Sequence, residues 1–290
     1  MNNRETPLLS ICCIAYNHEN YIRNCLEGFL LQKVDFPIEI LIFDDASTDN
    51  TQKIIKEFER KDNRIITFLQ KDNQWNQGKY GLLDWLFPAA QGKYIALCEG
   101  DDYWIDPLKL QKQVDLMAKN PDCSLCFHAS KNVRENNTDI FEIYRPVDQP
   151  KNNRFGVEHA VKYGSGLMAT NAMLFKTKYV FNRPDWCMQG ASGDLCLTLL
   201  MASHGDMLYI DDVMSAYRVA AVGSWSLGMK NNPEKVKTHY AKTTTMWKAF
   251  DAYTKGKYTK EINRVLRRNK FICYKFFTKV ALLKFLPLKK

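Results

Sequence analysis

Along the first 130 residues, short unbroken apolar runs alternate with stretches whose apolar residues recur every three or four positions. Leu8 to Ala15 is continuously apolar apart from Ser10 and ends at Tyr16-Asn17, which predicts a strand buried on both faces. Asn20 to Gln32 sets Tyr21, Ile22, Cys25, Leu26, Phe29 and Leu30 at helical spacing. Ile38 to Phe43 predicts a second strand, and Ser47-Thr48-Asp49 offers helix caps ahead of Ile54, Ile55 and Phe58. Ile65 to Leu69 reads as a third strand, Gly78 to Ala90 as helical up to Pro88, and Tyr94 to Cys98 as a fourth strand. Asp106-Pro107 opens a helix running to Asn120, with Leu108, Leu110, Val114 and Met117 inward. Ser124 to His128 is a further strand. Such alternation implies an α/β fold with a mostly parallel central sheet flanked by helices.

Beyond residue 130 the periodicity weakens. Lys131 to Arg154 is polar, with several Asn and two Pro, and reads as loop or edge structure. Met173 to Phe175 and Leu208 to Ile210 read as strands, and Asp194 to Ser203 as a helix. From Pro233 to the end the pattern is helical, interrupted near Lys255-Gly256-Lys257. This predicts a body over 1–230, divided into halves at 8–130 and 131–230, and a C-terminal helical extension over 231–290.

Composition narrows the class. The 290 residues are 46% hydrophobic and 12% aromatic, enough for a packed core. No run approaches the length of a membrane-spanning helix. The polar start, Met1 to Pro7, lacks the apolar core of a secretion signal, which predicts a cytoplasmic location. Of nine cysteines, Cys12, Cys13, Cys98, Cys123, Cys126 and Cys196 lie in apolar surroundings. The Cys123-Ser-Leu-Cys126 pair has no second Cys/His pair at zinc spacing, so these are expected to be core thiols. The net charge of +9 is concentrated at one end. Residues 255–290 carry twelve Lys/Arg against one acid, Glu261, a net of +11, whereas residues 1–254 carry 29 against 31, a net of −2. This argues against a nucleic-acid-binding body and for a localised contact made by the tail.

Two of the predicted strands end at adjacent acids, Asp44-Asp45 and Asp101-Asp102. One such pair alone is an ordinary turn with a helix cap. Two in order, at the carboxyl edge of a βαβ sheet where ligands bind, suit a divalent cation holding a diphosphate.

Three segments then stand in sequence: Ser10-Ile-Cys-Cys-Ile-Ala-Tyr16-Asn17-His18-Glu19, Glu39-Ile-Leu-Ile-Phe-Asp44-Asp45-Ala-Ser-Thr-Asp49, and Gly92-Lys-Tyr-Ile-Ala-Leu-Cys-Glu99-Gly-Asp101-Asp102-Tyr-Trp104. Together they resemble the family 2 glycosyltransferases of the GT-A fold. The resemblance covers residues 8–130 and continues more weakly through Gly193-Asp194-Leu195 and Tyr209 to Arg218. It implies an inverting, metal-dependent, non-processive transfer of a sugar from a nucleotide-diphosphate donor, a UDP-sugar being expected, to a hydroxyl of a glycan or lipid-linked acceptor in cell-surface polysaccharide synthesis. It also implies roles for single residues. Tyr16 and Asn17 lie by the nucleotide, and Asp45 accepts from a base N–H. Asn76, Gly78 and Lys79 stand where donor contacts occur. Asp101 and Asp102 hold Mn²⁺ or Mg²⁺, with Asp102 the more direct ligand, and Asp194 is the general base. Read without the family, Asp194 is a helix N-terminal acid complementing the dipole and Asp45 a turn residue. Glu99 is a wall carboxylate, the alternative being a metal ligand through the Glu-Gly-Asp-Asp spacing, and Trp186 and Trp225 are buried aromatics, the alternative being to stack on a sugar.

The chain departs from the family after Tyr217-Arg218, where many relatives carry a histidine and this one reads Val219-Ala220-Ala221; Arg218 is the expected substitute at the phosphates. The Gln-x-x-Arg-Trp signature of processive synthases is absent. In the tail, Phe271, Ile272, Phe276, Phe277, Val280, Leu283 and Phe285 interleave with Arg267, Arg268, Lys270, Lys275, Lys279 and Lys284. That pattern suits peripheral contact with an anionic membrane through 255–290, the alternative being a helix packed on the body. Two other readings compete: a non-catalytic membrane-surface binding or scaffold relative, and a sugar nucleotidylyltransferase. The second needs a Gly-rich basic loop after the first strand, and Tyr16-Asn-His-Glu19 is not one.

Overall fold

The structure is a computed structural model that describes residues 5–134, 140–188, 192–219, 229 and 232–285. Its strands are β1 (Leu9–Ala15), β2 (Ile38–Asp44), β3 (Ile65–Leu69), β4 (Tyr94–Leu97), β5 (Tyr103–Trp104), β6 (Leu125–Val133), β7 (Ile140–Tyr144), β8 (Arg154–Phe155), β9 (Leu174–Lys176) and β10 (Met207–Arg218). They form one sheet in the order β3-β2-β1-β4-β9-β6-β10-β5, with β7 alongside β6 and β8 alongside β10. β3, β2, β1 and β4 are parallel neighbours, and β6 and β10 pair parallel to each other. β9 is antiparallel to both β4 and β6 and joins the two parallel groups.

The continuous apolar runs arise because the central strands are covered on both faces. Ile11, Cys13, Ile40 and Ile42 point to one side, where they meet α1 (Ile22–Leu30) and α2 (Thr51–Glu59) through Ile22, Leu26, Phe29, Ile55 and Phe58. Cys12, Leu41 and Phe43 point to the other side, into a core shared with Leu199, Met201 and Trp247. α3 (Phe87–Ala89), α4 (Lys109–Lys119), α5 (Val157–Tyr163), α6 (Lys178–Phe181) and α7 (Gly193–His204) complete the body. Eight of the nine cysteines are buried, and all nine are free thiols.

Several boundaries differ from the sequence pattern. The segment 78–90 is not a regular helix: a 3₁₀ turn at Trp75–Gln77 ends at Gly78 with φ 76°, and a π-helical turn at Gly81–Leu86 precedes α3. Leu108 is 44% exposed, and Lys109 is buried in its place. Asp106 caps the backbone N–H of Leu108 at 2.8 Å and binds Lys112 Nζ at 2.8 Å, so α4 starts at Lys109 and turns that side chain inward. β6 runs on to Val133, with β7 as its edge strand, where the polar composition suggested loop. β10 is twelve residues long rather than three; irregular pairing around Asp211 and Asp212 breaks its apolar alternation, hiding the continuation to Arg218.

Two long helices follow, α8 (Pro233–Tyr253) and α9 (Thr259–Phe285). α8 buries Thr243, Met246, Trp247 and Phe250. Met246 Sδ lies 3.4 Å from Cys196 Sγ of α7, and Trp186 meets Phe250 edge-on at 5.0 Å. α9 buries Ile262 and Val265 near its start, while Phe271 and Ile272 are each 57% exposed.

Candidate active site

β1 leaves the sheet at Tyr16, and Asn17 adopts a left-handed φ of 55°, a conformation that asparagine tolerates better than most residues. From there the loops after β1 and β2 are laced together. Asn17 N donates to Ser47 Oγ at 2.9 Å, and Asn17 Oδ1 accepts from Thr48 N at 2.8 Å. His18 N donates to Thr51 Oγ1 at 2.8 Å, and Glu19 N to Asp49 Oδ2 at 3.1 Å. The acids at the end of β2 divide their work. Asp44 is fully buried and accepts from Ser47 N at 2.9 Å and Gln52 Nε2 at 2.7 Å, so it braces its own loop. Asp45 accepts from the backbone N–H groups of Gln74 (2.6 Å) and Trp75 (3.2 Å). It thereby suspends the turn that carries Asn76, Gly78 and Lys79 beside the β2 edge. Lys79 Nζ sits 5.9 Å from the centre of the Trp85 ring. Tyr16 and Trp75 are the exposed aromatics of this region, at 41% and 58%.

At the end of β4, Glu99, Asp101 and Asp102 bring carboxylate oxygens within 4.8 Å of one another. Gly100 between them is forced by space: a Cβ there would stand 2.8 Å from His18 Nδ1 and 2.9 Å from Ile22 Cδ1. Burial, then the charges of Asp101 and Asp194, raise the Glu99 carboxyl to about 8. Burial, then Asp101 and Glu99, also push Asp102 upward, against the lowering effect of its hydrogen-bond donors. Those donors are Arg218 N, at 2.8 Å from Oδ1, and Asn171 Nδ2, at 2.9 Å from Oδ2. Arg218, carried inward by the long β10, donates Nε to the Asp101 carbonyl at 2.8 Å, and its guanidinium lies 4.5 Å from the Tyr21 ring centre. The three carboxylates, two of which (Glu99 and Asp102) have their protonation favoured by burial and neighbouring charge, form an all-oxygen donor set that fits a hard divalent cation. Among the described residues, Asp102 is the member whose two oxygens each accept from a protein donor.

Asp194 stands in the first turn of α7, where its Oδ1 accepts from Leu195 N at 2.8 Å and from Ser192 Oγ. It therefore does perform the local helix-start role. Yet its charge also reaches across to the cluster, since it contributes to the raised Glu99, Tyr144 and Tyr217 and acts on His239 of α8.

The fold thus brings Asp101, Asp102 and Arg218 into contact and sets Asp194 within electrostatic range of Glu99. Asp45, Asn76 and Lys79 form a separate rim on the β2 side. Trp186 is buried in the α8 contact, and Trp225 lies outside the described residues. Sequence reading gave no part to Asn171, which is fully buried and holds Asp102. Its available signal was a lone amide inside the apolar stretch Leu167 to Phe175. His18 was likewise unassigned: burial pushes its imidazole down, with Asp101 opposing.

Residues 10–180 match the family model described as glycosyl transferase family 2. An uncharacterized protein of Mycobacterium tuberculosis (strain ATCC 25618 / H37Rv) is 33% identical over 217 residues, 75% of this chain and 60% of that protein. The chain therefore spans about three-fifths of that relative's length. The Escherichia coli UDP-Glc:alpha-D-GlcNAc-diphosphoundecaprenol beta-1,3-glucosyltransferase WfaP is 38% identical over 110 residues, 38% of this chain and 41% of that protein. Among solved structures, the mannosyltransferase PcManGT from Pyrobaculum calidifontis, in complex with GDP-Man and Mn²⁺, superposes with a TM-score of 0.61 at 14% identity, covering 97% of this chain and 76% of that one. At that identity the likeness concerns the fold, which is GT-A.

Proposed function

The chain belongs to glycosyl transferase family 2, and on that basis we propose that it transfers a sugar from a nucleotide-diphosphate donor to an acceptor hydroxyl, with inversion at the anomeric carbon. The observation that carries this reading is the Glu99–Asp101–Asp102 cluster at the carboxyl edge of the sheet, with Asp194 within electrostatic range of Glu99. Asp101 and Glu99 would hold Mn²⁺ or Mg²⁺, with Asp102 as the anchored third carboxylate. A bound divalent cation supplies charge stabilisation to a departing diphosphate. The rim formed by Tyr16, Asn17 and Asp45, with the turn through Asn76 and Lys79, would seat the nucleotide. Arg218 would contribute its positive charge to the diphosphate from beneath the cluster. Asp194, whose Oδ2 has no partner among the described residues, would accept the proton of the attacking hydroxyl, a role worth about 10²–10⁴-fold in rate. A base on the face opposite the leaving group gives inversion by in-line attack.

A UDP-sugar donor and a lipid-linked or glycan acceptor are supported by the name of the E. coli relative, and a divalent cation by the Mn²⁺ complex of the structural neighbour. The test is a panel of UDP- and GDP-sugars with Mn²⁺ or EDTA, comparing wild type with Asp101→Asn. Release of one nucleoside diphosphate, lost with EDTA and in the variant, is expected. Failure of every donor to bind or turn over with metal present would overturn the reading.

Peripheral contact of 255–290 with an anionic membrane belongs to the same proposal. The apolar line that buries Ile262 and Val265 continues one heptad on to exposed Ile272, and no acid follows Glu261. No described helix is long and apolar enough to cross a membrane. Co-sedimentation with phosphatidylglycerol vesicles but not with phosphatidylcholine vesicles, weakened by salt, is the expected result. Equal behaviour with both would refute it.

A further inference from the structure

Asn171 lies in the 3₁₀ turn Thr170–Ala172 that precedes β9, far in sequence from every motif of the site, and is fully buried. Its side-chain amide has three partners. Nδ2 donates to Asp102 Oδ2 at 2.9 Å and to the Ala216 carbonyl at 3.0 Å, and Oδ1 accepts from Ser215 Oγ at 2.7 Å. Its backbone carbonyl accepts from Trp104 Nε1 at 2.9 Å. These partners fix which way the amide faces. A carboxylate and a carbonyl can only accept, whereas the Ser215 hydroxyl can donate; the flipped amide would set Oδ1 against two acceptors.

One small residue therefore joins three elements. It ties the end of β4 at Asp102 to the last turns of β10 at Ser215 and Ala216, and to β5 through Trp104. Asp102 is the carboxylate with least access to solvent in the cluster, and both of its oxygens rest on protein donors. Held this way, it fixes the short turn from Glu99 to Asp102 and so the direction in which Asp101 and Glu99 point. Remove the amide, and a buried carboxylate loses one of its two donors, which leaves it free to rotate and the turn from Glu99 to Asp102 without its tie to β10.

We propose that Asn171 is a positioning residue that orients the Glu99–Asp101–Asp102 carboxylates for a divalent cation through its bond to Asp102. This rests on the metal-dependent reading above. Partners that orient metal-binding side chains typically change affinity by about 10–100-fold when removed. The test is Mn²⁺ binding measured directly by calorimetry and by the loss of the free-ion electron paramagnetic resonance signal, in the absence of any donor. Asn171→Ala, checked for native circular dichroism, is expected to weaken Mn²⁺ binding by about 10–100-fold. At saturating metal and donor, kcat should recover more than the apparent metal affinity does. Ser215→Ala, which deletes the hydroxyl that sets the amide and also meets Ser130 Oγ at 3.0 Å, is expected to weaken binding by a smaller factor. A folded Asn171→Ala that binds Mn²⁺ as the wild type does overturns the proposal. So does an unfolded Asn171→Ala paired with a Ser215→Ala of wild-type affinity. If the wild type itself binds no Mn²⁺, the metal-dependent reading fails and this inference falls with it, an outcome separate from the other two.

Discussion

Lys109 offers the sharpest test of the packing beneath the site. Its side chain is fully buried, with Nζ 2.8 Å from Gln113 Oε1 and 3.9 Å from the centre of the Trp104 ring. Desolvation outweighs these favourable contacts and brings the ammonium from its ordinary 10.5 down to about 7. The unfolded chain thus holds this proton up to pH 10.5, and the folded chain releases it near 7. Between those values the unfolded state binds more protons, so stability rises with pH across that window, and below 7 the full penalty applies. The gap corresponds to roughly 5 kcal/mol at its largest, with a slope near 1.4 kcal/mol per pH unit. Lys109→Met keeps the volume and removes the titrating group. Urea unfolding of both proteins between pH 6.5 and 10, at constant ionic strength, reads the difference. The variant should hold its greatest advantage at the acid end, diminished by the loss of a partner for Gln113, and this should shrink steadily as pH rises. Parallel stability profiles would show that the lysine is either accessible to water or unperturbed, and the argument from burial would be wrong.

Other expectations follow from the same geometry. Asp194→Asn should lower kcat by about 10²–10⁴-fold with nucleotide affinity nearly unchanged, read by steady-state turnover and calorimetric titration with the nucleoside diphosphate. Because Glu99 titrates near 8, Mn²⁺ should bind more tightly as pH rises from 6.5 to 9, with proton release on binding at the lower pH values; a pH-independent affinity would contradict the raised carboxyl. Gly100→Ala forces a methyl against His18 and Ile22 and should cost about 1–3 kcal/mol in a chemical denaturation series, whereas an unchanged midpoint would show that the loop yields. Trp247→Ala, which empties the α8 contact, should cost about 3–5 kcal/mol and release α8 to early proteolysis.

In the first half the strands are legible in the residue pattern, because a strand covered on both faces must be apolar throughout, whereas the 78–90 segment departs from the helix its spacing suggests. β1, β2, β3 and β4 fall within a residue of their apolar runs, and the two strand-end acid pairs mark the ligand edge. Family motifs there pointed to the cluster, since its members are neighbours in the chain. The hydrogen-bond partners of each acid come from the tertiary structure. Asp44 and Asp45 look alike in sequence, but one braces its own loop and the other hangs the 73–75 turn. Asp102, the more direct metal ligand by resemblance, accepts from a protein donor at each oxygen, a feature no local pattern records. Leu108 reads as inward in the helical pattern, but with Asp106 capping its N–H it stands exposed and Lys109 is buried. Asn171 and Arg218 reach Asp102 across 69 and 116 residues. No local periodicity records such contacts: hydrophobic patterning fixes which face of an element is buried, whereas the partner of a buried polar group is chosen by the crossing of strands distant in the chain.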